Sequence, residues 1–179
     1  MAVQMKVGFS RTNITPEFSV PLGGYGDVER RMSQVNLDPL YATCVAISDG
    51  ENKALFYHLD LTGCQTEVID YCKEELEKKL GIPKQNMFFT ATHTHSAPAL
   101  QSKLECITKY IEEVLKPGII AAAEPALEDL EEADLYIGTG KTEGLNFVRR
   151  YLLSDGTYGG DNFGDFKKNP NAMGDWAFG

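Results

Sequence analysis

The sequence predicts an α/β domain, a mixed, mainly parallel sheet flanked by helices, and three observations lead there. The run Ala54-Leu55-Phe56-Tyr57-His58-Leu59-Asp60 is nearly continuous in apolar character, which suits a central strand covered on both faces. An amphipathic segment and a second apolar run, Met87 to Thr92, follow it, so strand, helix and strand form a βαβ crossover, right-handed by the general rule. The length, 179 residues, fits one domain able to bury a substantial core.

Each element has its own signal. Lys6 to Ser10 forms a first strand, and a Pro/Gly-rich loop runs from Thr12 to Gly26. Leu40 to Ile47 and Lys53 to Leu61 are two strands joined at Ser48-Asp49-Gly50-Glu51, since Asp-Gly between β-rich runs marks a hairpin. Val68, Ile69, Cys72, Leu76 and Leu80 recur at helical spacing from Thr66 to Leu80, with Glu74/Lys78 and Glu75/Lys79 as outer pairs and Gly81 as the stop. After Pro98, Leu104, Ile107, Ile111, Val114 and Leu115 mark a second helix, which Pro117-Gly118 interrupts or restarts before Ile119 to Ala126. Leu135 to Gly138 reads as a short strand, and Phe147 to Leu153 with the turn Ser154 to Thr157 as a terminal hairpin. Residues 1–158 then make one domain, and 159–179 a Gly/Asn-rich irregular tail, the start of a missing segment.

Composition removes several functions. The net charge is −9 and basic residues run no longer than pairs such as Arg149-Arg150, whereas nucleic acid needs a basic stripe. Glu128, Asp129, Glu131, Glu132 and Asp134 nearly adjoin and read as a solvated turn or helix end rather than a cation site. The N-terminus lacks an uninterrupted apolar core and no eighteen apolar residues run together, so neither a secretory signal nor a membrane span is expected. Cys44, Cys64, Cys72 and Cys106 are too widely spaced for a zinc knuckle and suit buried free thiols. A cytoplasmic setting follows for the chain as given, or a secreted one if a leader is removed.

The chemistry concentrates in Ala91-Thr92-His93-Thr94-His95-Ser96-Ala97-Pro98, which holds two of only three histidines and directly follows the apolar Met87-Phe88-Phe89. The pair sits at a strand C-terminus, where open α/β sheets bind ligands, and alternation on an extended backbone points both rings to one face. A metal site and two rings bonded to neighbouring backbone are both compatible with the spacing. Asp60 ends its own strand, either orienting a ligating imidazole or serving as a turn residue, and His58 reads as a satisfied core histidine. Gly23, Gly24 and Gly26 permit close approach of backbone; a phosphate cradle is disfavoured because a P-loop lysine is lacking, so an irregular loop over the sheet edge is expected.

Six short motifs in one order, Asn13-Ile14-Thr15-Pro16, Pro21 to Gly26, Asp38-Pro39-Leu40-Tyr41-Ala42, Leu59-Asp60-Leu61, Gly81-Ile82-Pro83 and the His-x-His segment, resemble the N-terminal region of the neutral/alkaline, non-lysosomal ceramidase family. The resemblance runs from about Val7 to about Tyr158 and covers less than half of a family member. It implies a zinc-dependent amidase hydrolysing N-acyl amides such as ceramide. His93 would be the first zinc ligand, His95 a second ligand or a proton shuttle, and Asp60 an orienter. Arg149 or Arg150, near Asn146, would polarise the amide carbonyl, and Gly24 and Tyr25 would line the substrate at the mouth of the site.

The family's further ligands, a histidine, a glutamate and a tyrosine, lie downstream, whereas this sequence has no histidine after His95. The chain alone is therefore expected to hold zinc weakly and to need a second half or an oligomer partner to complete the site. Two other functions stay open: a non-catalytic fragment or binding module, and a different metal-dependent ester or phosphoester hydrolase using both histidines.

Overall fold

The computed structural model describes residues 4–26, 28–142, 150–152 and 156–160. They belong to two compact units, Met1–Leu135 and Tyr136–Gly179.

In the first unit, five strands, β1 (Lys6–Asn13), β2 (Tyr41–Ser48), β3 (Lys53–Leu59), β4 (Met87–Ala91) and β5 (Glu131–Glu132), form one sheet in the order β4-β3-β2-β1-β5. The mixed α/β sheet is as expected, but its balance is not: β1 with β2, β2 with β3 and β1 with β5 are antiparallel, and only β3 with β4 is parallel. The reason is connection length. The β2–β3 link, Asp49 to Asn52, is too short to cross back over the sheet, whereas helix α1 (Thr66–Leu80) gives β4 the crossover a parallel neighbour needs. Gly81 ends α1 in the left-handed conformation, its N–H bonded to the Glu77 carbonyl.

Alternation along the strands sorts the faces. Ala42, Cys44 and Ala46 of β2, Leu55, Tyr57 and Leu59 of β3 and Met87 of β4 are buried on one side. Against them pack Val68, Cys72 and Leu76 of α1, with Tyr110, Leu115, Ile119, Ala122 and Ala126 from the later helices. Each large apolar side chain so buried contributes about 1.5–3 kcal/mol. The opposite face is open, which corrects the expectation that β3 is covered on both sides: Phe9, Phe56 and Phe88 lie 55, 41 and 50% exposed, and Phe56 stacks on Phe88. A continuous apolar run does not distinguish one covered face from two, because exposed phenylalanines preserve the run. His58 likewise lies exposed on this open face, its Nδ1 2.7 Å from Thr90 Oγ1, rather than in the core.

The second helical stretch comprises α2 (Glu105–Tyr110), a π-helical segment (Ile111–Leu115) and α3 (Lys116–Ala121), followed by α4 (Ala123–Glu128). Pro117 does not break it. Lacking an N–H and crowding the preceding turn, the proline is accommodated where that turn widens. Asp129, at the end of α4, accepts a hydrogen bond from the Phe9 amide at 2.8 Å, so the acidic run is a helix end beside β1. The fifth strand falls at Glu131–Glu132, opposite Lys6 and Val7, instead of at Leu135 to Gly138, where Leu135, Tyr136 and Ile137 are exposed and outside any strand. In the second unit, β6 (Arg150–Leu152) and β7 (Tyr158–Gly160) pair antiparallel, the expected terminal hairpin.

Among the described residues no helix is long and apolar enough to cross a membrane. The four cysteines are free, and burial raises the thiols of Cys44 and Cys64 to about 11 and that of Cys72 to about 12.

Candidate functional site

Parallel pairing of β3 and β4 brings their C-terminal ends together, and the amide of Thr92 extends the contact by donating to the Leu59 carbonyl at 3.0 Å. Beyond this point both chains turn away, opening the crevice in which α/β sheets place ligands. His93 makes the turn with φ +58°, a left-handed conformation that few non-glycine residues adopt. Such strain costs about 1–2 kcal/mol and persists only where surrounding contacts impose it.

The contact that imposes it is with the segment after β3. His93 Nδ1 lies 2.6 Å from the Thr62 carbonyl oxygen. A carbonyl can only accept, so Nδ1 donates, and in the neutral ring the lone pair then sits on Nε2 of an exposed imidazole. Thr62 Oγ1 donates in turn to the Thr94 carbonyl at 2.8 Å, a second tie between the same two loops. Asp60 takes the turn role: its Oδ2 accepts from the Tyr41 amide at 2.9 Å, and its own amide donates to Tyr41 O. The partner that orients His93 is thus the main chain of Thr62 rather than the Asp60 carboxylate.

His95 stands beside His93, the ring centroids 4.9 Å apart and the planes at 70°. The rings meet because the backbone turns at His93, not by the alternation of an extended strand. The glycine-rich loop closes over them. Pro21 accepts from the Ala99 amide, Leu22 pairs with Pro98, and the Gly23 amide donates to Ala97 O at 2.9 Å, so residues 21–23 zip onto 97–99. Gly24 follows with φ +97°, and a Cβ there would lie 2.6 Å from His95 Nδ1 and closer still to its Cβ and Cγ. Glycine is required here on both counts. Tyr25 then sets its ring edge to face with His95 at 4.9 Å and 82° while remaining 61% exposed.

His93, His95, Gly24 and Tyr25, all selected from sequence, therefore share one edge of the sheet, with Asp60 two residues before Thr62. Arg149 lies outside the described residues, and Arg150 belongs to the hairpin of the second unit. Among the described residues no group of three or more His, Cys, Asp or Glu side chains converges as a metal site would. The histidine pair fits part of such a site, with one tautomer already fixed. Two participants escaped the sequence reading. Thr62 acts through its carbonyl, which every residue type possesses; Arg31, adjoining Arg30, looks like ordinary surface charge but donates to the carbonyls of Gly23 and His95.

No family model and no curated protein matches the chain. Solved structures do. The neutral ceramidase from Pseudomonas aeruginosa superposes with a TM-score of 0.63 at 21% identity, over 74% of this chain and 23% of that one. A structure described as a ceramidase complexed with C2 gives a TM-score of 0.71 at 21% identity, over 83% of this chain and 25% of the other. This chain thus spans about a quarter of the length of either protein, and it has the α/β fold found in that portion of a ceramidase.

Proposed function

We propose that this chain carries the first part of a zinc-dependent amidase site, acting on an N-acyl compound such as ceramide. The observation that carries the reading is the hydrogen bond from His93 Nδ1 to the Thr62 carbonyl. Metal-binding histidines characteristically donate their second ring N–H to a carbonyl or carboxylate, which fixes the tautomer and raises the basicity of the ligating nitrogen. His93 Nε2 would hold the metal, and His95 would be a second ligand or move a proton between water and the leaving amine. Gly24 and Tyr25 would border the substrate. Zinc, when bound, polarises an amide carbonyl and lowers the pKa of its water to about 7.

Two imidazoles are fewer than the three protein ligands of typical catalytic zinc sites, so binding should be weak in this chain and hydrolysis of a fluorogenic N-acyl amide negligible. Titration with a zinc indicator tests the assignment. Wild type and His58→Ala should bind alike, and His93→Ala should lose binding. Unchanged binding by His93→Ala would remove His93 as a ligand. A protein that takes up no zinc at neutral pH would favour a non-catalytic binding module instead.

A further inference from the structure

We propose that Arg31 is the positioning residue of this site, a single guanidinium that ties the glycine loop and the Tyr25 ring to the main chain of His95. The inference rests on the reading of His95 as a working residue, but its physical content is independent of zinc. Three contacts define it. Arg31 Nη1 donates to the Gly23 carbonyl at 2.9 Å, Nη2 donates to the His95 carbonyl at 3.3 Å, and the guanidinium carbon lies 4.8 Å from the centre of the Tyr25 ring.

Each contact fixes one side of His95. Gly23 immediately precedes Gly24, whose backbone leaves no room for a Cβ beside the imidazole. Tyr25 presents its ring to His95 edge to face, and the carbonyl of His95 anchors its main chain. The three contacts join two segments, Gly23 to Tyr25 and His95, about seventy residues apart in sequence, and the guanidinium touches both. Only a planar fork can do this, because its donors diverge at fixed angles while its face remains free to stack. An ammonium on a lysine stem has its donors on one nitrogen, so it cannot place two separated nitrogens on the two carbonyls as the fork does, and it supplies no such plane. Arg31 touches neither imidazole nitrogen by a hydrogen bond of its own, so its role is placement.

The test is nuclear magnetic resonance of the metal-free full chain with labelled histidine rings. Wild type should show a cross-relaxation peak between the Tyr25 and His95 rings. Arg31→Ala should lose that peak and move the His95 ring signals toward their free values, while the His58 signals stay in place. Added guanidinium ion should restore the peak in part. Arg31→Lys, which keeps charge and stem, should also lose it and serves if Arg31→Ala fails to fold. Retention of the peak and of the His95 shifts in either folded variant would overturn the proposal. Zinc titration of wild type tests the ligand reading separately, so a clamp without zinc binding and zinc binding without a clamp are distinguishable.

Discussion

Replacing Gly24 by alanine should destabilise the first unit well beyond the cost of its backbone conformation, and Gly50 supplies the reference. Both glycines have positive φ, +97° at Gly24 and +93° at Gly50, so alanine meets similar backbone strain, about 1–2 kcal/mol, at each. Both substitutions also reduce unfolded-chain entropy equally, a gain of about 0.4–1 kcal/mol that cancels in the comparison. The surroundings differ. A Cβ at Gly50 meets nothing within 4 Å, whereas one at Gly24 would come 2.6 Å from His95 Nδ1. Relief requires an off-rotamer imidazole or a displaced loop, and such overpacking costs about 1–3 kcal/mol. Urea denaturation of the two variants against wild type should therefore show Gly24→Ala the less stable by that difference, with an unchanged m-value. Equal losses, within about 0.5 kcal/mol, would mean that the His95 ring is not seated against Gly24, and the geometry of the site would need to be redrawn.

Two other outcomes follow from the core. The Tyr57 hydroxyl is buried with no hydrogen-bond partner beyond the soft thiol of Cys44, so Tyr57→Phe should be neutral or stabilising by up to about 1 kcal/mol in the same urea assay. A loss above about 2 kcal/mol would reveal a partner for that hydroxyl. Burial raises the folded thiols of Cys44, Cys64 and Cys72 from 9.0 to about 11, 11 and 12. Between those values the unfolded chain releases protons that the folded one keeps, so stability is full below about pH 9 and falls as pH rises toward 12. Denaturation midpoints from pH 7 to 11 check the slope, and a flat profile above pH 9 would contradict it.

The sequence by itself determined most of the local elements and the position of the histidine pair at a strand end. Spacing of Val68, Cys72 and Leu76 set α1 from Thr66 to Leu80, Asp49-Gly50 set the β2–β3 turn, and an apolar run ending before His93 put the imidazoles at a strand terminus. Such signals are local because side-chain periodicity and turn chemistry act within a few residues. The six ordered motifs pointed to the N-terminal region of the ceramidases, and the solved ceramidase structures share the α/β fold of this chain.

What only the tertiary structure decided involves partners distant in sequence or contributed by main chain. Residue type does not disclose that Thr62 offers its carbonyl to His93, since every residue carries one. Nor does it disclose that Asp60 serves the Tyr41 amide, that Phe56 and His58 face outward, or that three of the four pairings within the five-stranded sheet are antiparallel. An apolar run fixes that a strand is made, while the neighbours on each face depend on where the helices pack. Arg31 is the sharpest case: its meaning lies in donating to Gly23 and His95 together, and it is the folding of two loops onto one sheet edge that brings those carbonyls within reach of one guanidinium.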